Sequence, residues 1–316
     1  MVVEISSSFI FVAKLSSYTT ALTAQQATTL IELLRRENFR FDERPYTIGY
    51  ARKDKVTVAV YEKGPKAVIQ GSGTEDFVTF FLEPEVTGEA RLGYEEVHHP
   101  EMFEPHFGID ESGKGDFFGP LVIAGAFTDA SLARTLREAG VTDSKRISSD
   151  KKIRDLAEVI RKAGVPHTLV TIRPPRYNAL IAKLGNVNRL LAWGHARAIE
   201  DLCALRPDCP RALSDKFAHV RMVERALMEK GRGIRLDQRT KAESDPAVAA
   251  ASILAREGFI DWMDGTSHTE GVILPRGVSE AVKATAASIS KARGADHLAT
   301  LVKTHFRTFG EVVPAG

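Results

Sequence analysis

Residues 107–127 read FGIDESGKGDFFGPLVIAGAF, and the fold of the longer part of the chain follows from how this stretch divides. FGI is apolar, Asp110 and Glu111 come directly after it, Gly113 and Gly115 loosen the chain, and GPLVIAGAF is again apolar. Two apolar runs joined by a tight glycine-rich turn predict an antiparallel hairpin. Neighbouring residues on a strand point to opposite faces. Asp110 and Glu111 are therefore expected to reach one site through a bend, for which Gly113 and Gly115 supply the freedom.

Downstream, TDSKRISSDKKIRDLAEVIRKAG (142–164) predicts a helix capped by Ser148 or Ser149, with Ile153, Leu156, Val159 and Ile160 at helical spacing. HTLVTIR (167–173) predicts a strand and NVNRLLAWGHARAIEDLCAL (186–205) an amphipathic helix. RALSDKF and GIRLDQRT predict two short strands, and DPAVAAASILARE (245–257) a helix of small residues suited to close packing on a sheet. The order is that of an α/β fold with a mixed sheet flanked by helices.

Upstream, residues 1–105 hold 11 Lys/Arg against 16 Asp/Glu, a net charge of −5, so the remaining 211 residues carry +7. A domain of that charge can favour a polyanion. EPEVTGEARLGYEEVHHPEMFEP (83–105) holds seven acids, one Arg and three Pro without periodicity and reads as an acidic linker. It separates a small α+β domain, residues 1–82, from a catalytic domain, residues 106–316. The small domain predicts a strand at Phe9–Leu15, a helix capped by Thr23 with Ala27, Leu30, Ile31 and Leu34 on one face, and strands in YTIGYAR, VTVAVYE and AVIQG. A short helix over Thr74–Leu82 would close it. If several of Arg35, Arg36, Arg40, Arg52, Lys53, Lys55, Lys63 and Lys66 share the sheet face, they could contact phosphates.

Length favours two domains. No uncharged apolar stretch is long enough to span a bilayer. The N-terminus does not read as a signal peptide, so a cytoplasmic protein without membrane contact is expected. Cys203 and Cys209 are expected to be free thiols. A monomer is the default expectation.

Acids recur at strand ends: Asp110 and Glu111, Asp215 after another apolar strand, and Glu243 and Asp245 between a strand and a helix. Such a cluster of hard oxygens repels itself unless divalent cations bind, and Mg²⁺ or Mn²⁺ suits it. Asp245 reads as the cap of the alanine-rich helix. Trp193 and His195 read as packing or exposed residues of their helix rather than as chemistry.

GIDESGKGDFFGPLVIAGAF resembles the opening of the type 2 ribonucleases H, and its DFFGP portion resembles ribonuclease HIII. The resemblance continues through TDSKR (142–146), NVNRLLAWGHARAIEDL (186–202), LSDKF (213–217) and KAESDPAVAAASILAR (241–256). YEKGPKAVIQGSGTEDF (61–77) is similar to the N-terminal domain of ribonuclease HIII, which is like half of a TATA-binding protein. The resemblance implies a ribonuclease H-like fold with a TATA-binding-protein-like N-terminal domain. It implies an endoribonuclease that cuts the RNA strand of RNA–DNA hybrids with two metal ions, leaving 5′-phosphate and 3′-hydroxyl ends. It places four metal-binding carboxylates on Asp110, Glu111, Asp215 and Glu243. Glu243 stands where ribonucleases HII usually carry Asp. Gly113, Lys114 and Gly115 match the segment that contacts the nucleic acid at the scissile site, and Lys145 is similar to a lysine near the backbone phosphate. Asn186 and Asn188 could donate to the hybrid's minor groove or cap their helix.

Overall fold

The computed structural model describes residues 15–89, 99–147, 149–216, 220–240 and 242–313. The strand expected at Phe9–Leu15 falls outside them except for Leu15. The chain divides into two compact units, Met1–Glu101 and Met102–Gly316.

The first unit holds β1 (Ser17–Ala21), α1 (Ala24–Arg36), β2 (Arg40–Asp42), β3 (Thr47–Lys53), β4 (Val56–Tyr61), β5 (Lys66–Gln70) and α2 (Thr74–Phe77). Its strands pair antiparallel in the order β1-β5-β4-β3-β2. β1 and β2 were not anticipated, because neither alternates. Thr23 caps α1 through a reciprocal box with Gln26. The α2 helix continues in wider π-type turns over Val78–Thr87, five residues beyond the Leu82 expected from the sequence. Burial alternates along β5 and over Gly49–Arg52 of β3, whereas β4 buries Val58, Ala59 and Val60 in a row. Ala51, Val58, Val60, Ala67 and Ile69 face α1 and α2 and form the core with Leu30, Leu34, Phe77 and Leu82.

The strand register puts Arg40, Arg52, Lys66, Tyr50 and Tyr61 on the opposite face. Lys66 lies over the Tyr61 ring and Arg44 over Tyr50. Three of the eight basic residues singled out above thus share that face. Arg35 and Arg36 belong to α1, Lys55 and Lys63 sit in turns, and Lys53 turns the other way to donate to Glu37 O.

The second unit opens with the expected hairpin, β6 (His106–Ser112) and β7 (Leu121–Thr128), paired antiparallel from His106↔Thr128 to Ser112↔Val122. There follow α3 (Ala130–Glu138), α4 (Asp150–Lys162), β8 (His167–Ile172), α5 (Pro174–Leu184), α6 (Val187–Leu205), β9 (Arg211–Asp215), α7 (Val220–Glu224), β10 (Arg235–Arg239), α8 (Pro246–Glu270), α9 (Glu280–Arg293), α10 (Ala295–Ala299) and α11 (Arg307–Val312). The sheet order is β10-β9-β6-β7-β8, with β6–β9 and β9–β10 parallel and the other pairs antiparallel. This is the mixed sheet expected. Ser149 caps α4, and Ser148 lies outside the described residues.

Every residue of β7 is buried, because helices cover both faces of the sheet. Val122, Ala124 and Ala126 pack with α4 and α8, whereas Leu121, Ile123 and Phe127 pack with α6. The start of α8 lies so close to β6 that a Cβ on Gly108 would stand 2.1 Å from the Ala247 carbonyl carbon. Glycine at 108 and alanines at 247 and 249–251 are what that approach requires. Cys203 and Cys209 are free and buried. No helix among the described residues is long and apolar enough to cross a membrane.

Candidate active site

Asp110 and Glu111 leave β6 in opposite directions. Asp110 pairs with Ala124 on the α8 side, where the Ser252 hydroxyl of α8 bonds its carboxylate. Glu111 pairs with Ile123 on the α6 side, where its Oε2 lies 3.1 Å from His195 Nε2. The ladder is regular through both residues, so no bend lies between them. That corrects the bend inferred from the sequence. The acids still meet, because a cavity of about 360 Å³ wraps the end of the sheet. Asp110, Glu111, Ser112, Gly113, Lys114 and Gly115 line it, with Ser144, Lys145, Asp215, Ser252 and Arg256. Asp215 ends β9, the parallel neighbour of β6, one place past the Ile109↔Ser214 pair.

The electrostatics tie the fourth acid to this group. Lys145 is partly desolvated, which opposes its charge, yet Asp110, Asp143, Glu243 and Asp215 together raise its pKa. Glu243 lies in a 3-10 turn between β10 and α8. Burial and the neighbouring Glu111 charge push the Asp110 carboxyl up to about 6, against the bonds from Ser252 and the Glu111 N–H. Burial also acts on Glu111, but His195, Lys114 and Lys145 outweigh it and hold its pKa low. Lys114 Nζ stands 3.6 Å from Glu111 Oε1.

Several supports were not legible in the sequence. His195 is buried and touches Glu111, so it does more than pack. Ser144 and Ser252 share a 2.7 Å hydrogen bond beside Asp110, and Arg256 donates to Ser144 O. Lys303 is fully buried, and its Nζ donates to Asp116 O at 2.8 Å and Gly119 O at 2.7 Å. It braces the loop that follows Gly113–Gly115. Burial pushes the Lys303 ammonium down to about 7, with Asp116 working against it. Gly113 has φ +85, and a Cβ there would meet Pro120 O at 2.2 Å, so its glycine is a steric requirement.

Other expected residues lie elsewhere. Asn186 caps α6, its Oδ1 accepting from the Asn188 and Arg189 N–H groups, and neither Asn186 nor Asn188 lines the cavity. Asp245 caps α8 as expected, accepting from Ala247 N and Val248 N, and it also bonds buried His106 at 2.8 Å. Phe217 of LSDKF and Lys241 of KAES fall outside the described residues.

As the side chains stand, no three Asp, Glu, His or Cys groups among the described residues converge tightly enough to hold an ion. Ser252 holds Asp110, and His195 and Lys114 hold Glu111. The chemistry of the donors nevertheless fits a hard divalent cation. The donors are carboxylate oxygens, and the strain of ionising Asp110 beside Glu111 is what a cation relieves.

The ribonuclease HII family matches residues 107–309. Ribonuclease HIII of Protochlamydia amoebophila (strain UWE25) is 39% identical over 301 residues, covering 95% of this chain and 98% of that protein. Ribonuclease HIII of Chlamydia pneumoniae is 40% identical over 297 residues, covering 93% and 97%. Among solved structures, Bst-RNase HIII in complex with Mn²⁺ superposes with a TM-score of 0.65 at 28% identity, over 94% of this chain and 98% of that one. Aquifex aeolicus RNase H3 gives 0.53 at 25% identity, over 92% and 100%. Identity near 40% running almost end to end in both chains, on the same mixed sheet, leads to one conclusion: the chain belongs to the ribonuclease HIII family and is a ribonuclease H hydrolase.

Proposed function

We propose that the protein is an endonuclease that hydrolyses the RNA strand of RNA–DNA hybrids with two divalent cations, Mg²⁺ or Mn²⁺, leaving 5′-phosphate and 3′-hydroxyl ends. The observation that carries this reading is the gathering of charge at one end of the sheet. Asp110, Glu111 and Asp215 line one cavity with Lys145, which also feels Glu243. A neighbour of the same family was solved with Mn²⁺.

Asp110 would be shared between the two ions, with Glu111 and Asp215 supporting one and Glu243 the other. When bound, such ions lower the pKa of the attacking water and neutralise the leaving oxygen. The chain's own groups do the rest. Ser252 fixes the Asp110 carboxylate, and His195 fixes Glu111 from the other face of β6. Lys114, Lys145 and Arg256 bring positive charge to the cavity, which offsets the acids that a phosphate would meet there. Gly113 and Gly115 present backbone without side chains, so a strand can lie close enough for its 2′-hydroxyl to be sensed. Residues 1–82, as a TATA-binding-protein-like domain, would grip the hybrid through the sheet face bearing Arg40, Arg52, Lys66, Tyr50 and Tyr61.

The test is metal-dependent release from a labelled hybrid, with single-stranded RNA and duplex DNA as controls. A duplex with one embedded ribonucleotide, run beside an all-RNA strand, separates this activity from excision of single ribonucleotides. Preferential cutting at the single ribonucleotide would overturn the hybrid reading.

A further inference from the structure

Lys303 is fully buried, although an ammonium is costly to take out of water. An apolar chain of the same length would fill its place without that cost, so what the position needs is the donors. Its Nζ donates to Asp116 O at 2.8 Å and to Gly119 O at 2.7 Å, and its backbone N–H donates to Phe117 O at 2.9 Å. One residue thus holds the carbonyls of Asp116, Phe117 and Gly119. The Tyr177 ring centre lies 5.6 Å from the ammonium.

The backbone that carries Lys303 is itself fixed. Asn178 of α5 donates to Ala299 O at 3.1 Å and Val302 O at 3.0 Å, and accepts from Thr304 N at 3.0 Å. Phe118 bridges to Val302, and Gly119 N donates to Leu301 O at 3.0 Å. From another side Gly277 N donates to Asp116 Oδ1 at 2.6 Å, and Phe117 N donates to Gly277 O at 3.1 Å.

Asp116 is where this hold reaches the candidate site. Its N–H donates to Gly113 O at 3.3 Å and closes a turn with Lys114 and Gly115 at the centre. Both central residues are exposed and line the cavity with the carboxylates. A Cβ on Gly115 would meet nothing within 4 Å, so the tip of the turn is open to a strand. The turn is therefore set by its ends. We propose that Lys303 is a positioning residue for ribose recognition: through Asp116 it fixes the Gly113–Gly115 turn in the geometry that reads a 2′-hydroxyl of the substrate. This inference rests on the nuclease reading above.

The experiment measures binding by the full-length Asp110→Asn protein to two duplexes of one sequence. In one, an RNA strand is paired with DNA; in the other, fluorine replaces the 2′-hydroxyls of that strand and removes their donors. Asp110→Asn alone should bind the RNA duplex about tenfold more tightly than the fluorinated one. Adding Lys303→Met, which keeps the chain length and loses the ammonium, should close that gap while affinity for the fluorinated duplex changes little. In the protein with Asp110 intact, Lys303→Met should slow cleavage at saturating hybrid on the order of 10²-fold. A merely structural role would weaken both duplexes alike, so an undiminished gap in a folded Lys303→Met protein would overturn the proposal. Asp116→Ala cuts the same hold from the loop itself and should narrow the gap too. An unchanged gap there overturns the proposal where Lys303→Met does not fold. A wild-type protein that cuts no hybrid would instead overturn the nuclease reading, and that result shows without either variant.

Discussion

The two sheets of this protein, each of five strands among the described residues, solve different problems. The first is antiparallel throughout, with a core on one face and basic and aromatic side chains on the other. The second is mixed, is covered on both faces, and has its candidate site only where the strands end. A sheet with one uncovered face can offer that face to a ligand. A sheet buried on both sides has only its ends, and parallel neighbours such as β6 and β9 bring their ends together. In the second sheet a single strand therefore serves both sides. Asp110 is held from α8 and Glu111 from α6, and the two meet where β6 leaves the sheet.

The comparison can be broken most decisively at the strand end. Asp110→Asn should lower cleavage by on the order of 10³-fold or more, while hybrid affinity changes little. Comparable losses of cleavage and binding would mean that Asp110 holds substrate rather than the reacting centre. The next effect concerns the first sheet. Deleting residues 1–82 should weaken hybrid binding by roughly 10- to 100-fold and leave cleavage at saturating substrate largely intact. Equal affinity of the truncated and full-length proteins would remove the first unit from substrate binding.

Stability separates the sheets further. Gly108→Ala sets a Cβ against the Ala247 backbone, and denaturant unfolding should show a loss of about 1–3 kcal/mol. Thr19→Ala, on the exposed face of the first sheet, should stay within about 0.5 kcal/mol. Equal costs at the two positions would mean that the second sheet is not closely covered.

The pH dependence of Asp110 runs in a definite direction. Its folded pKa, about 6, is above the ordinary 3.8, so the folded state holds the proton more tightly. That stabilisation is complete below about pH 4 and is lost as pH rises through about 6. Without divalent cations, Asp110→Asn should therefore be more stable than wild type above pH 6, by roughly 1–3 kcal/mol. The difference should close below pH 4. Thermal melts across pH 3–8 measure it, and a constant difference would show that Asp110 ionises without strain.

Much of this was legible because local pattern and tertiary role coincide. The apolar runs either side of Asp110 become β6 and β7, Thr23 and Ser149 cap where they stand, and the small residues of α8 allow its approach to Gly108. What was hidden depends on contacts distant in sequence. His195 sits among the apolar residues of α6 and reads as packing until Glu111 is found beside it, 84 positions away. Lys303 looks like a surface lysine, but the loop at Asp116–Gly119 closes over it. β1 lacks alternation and is fixed by pairing with β5. The convergence of Asp110 and Glu111 was inferred from glycine flexibility, whereas the regular ladder shows that the sheet's end does the work.

The central claim is that acids from both faces of β6 make one metal-dependent nuclease site. Its most direct test is cleavage of an RNA–DNA hybrid by the full-length protein, with and without Mg²⁺ or Mn²⁺, beside single-stranded RNA and duplex DNA. The account predicts metal-dependent cutting of the hybrid's RNA strand alone, and its loss when either Asp110→Asn or Glu111→Gln is made. Cutting that survives chelation, or that persists in either variant, would contradict it.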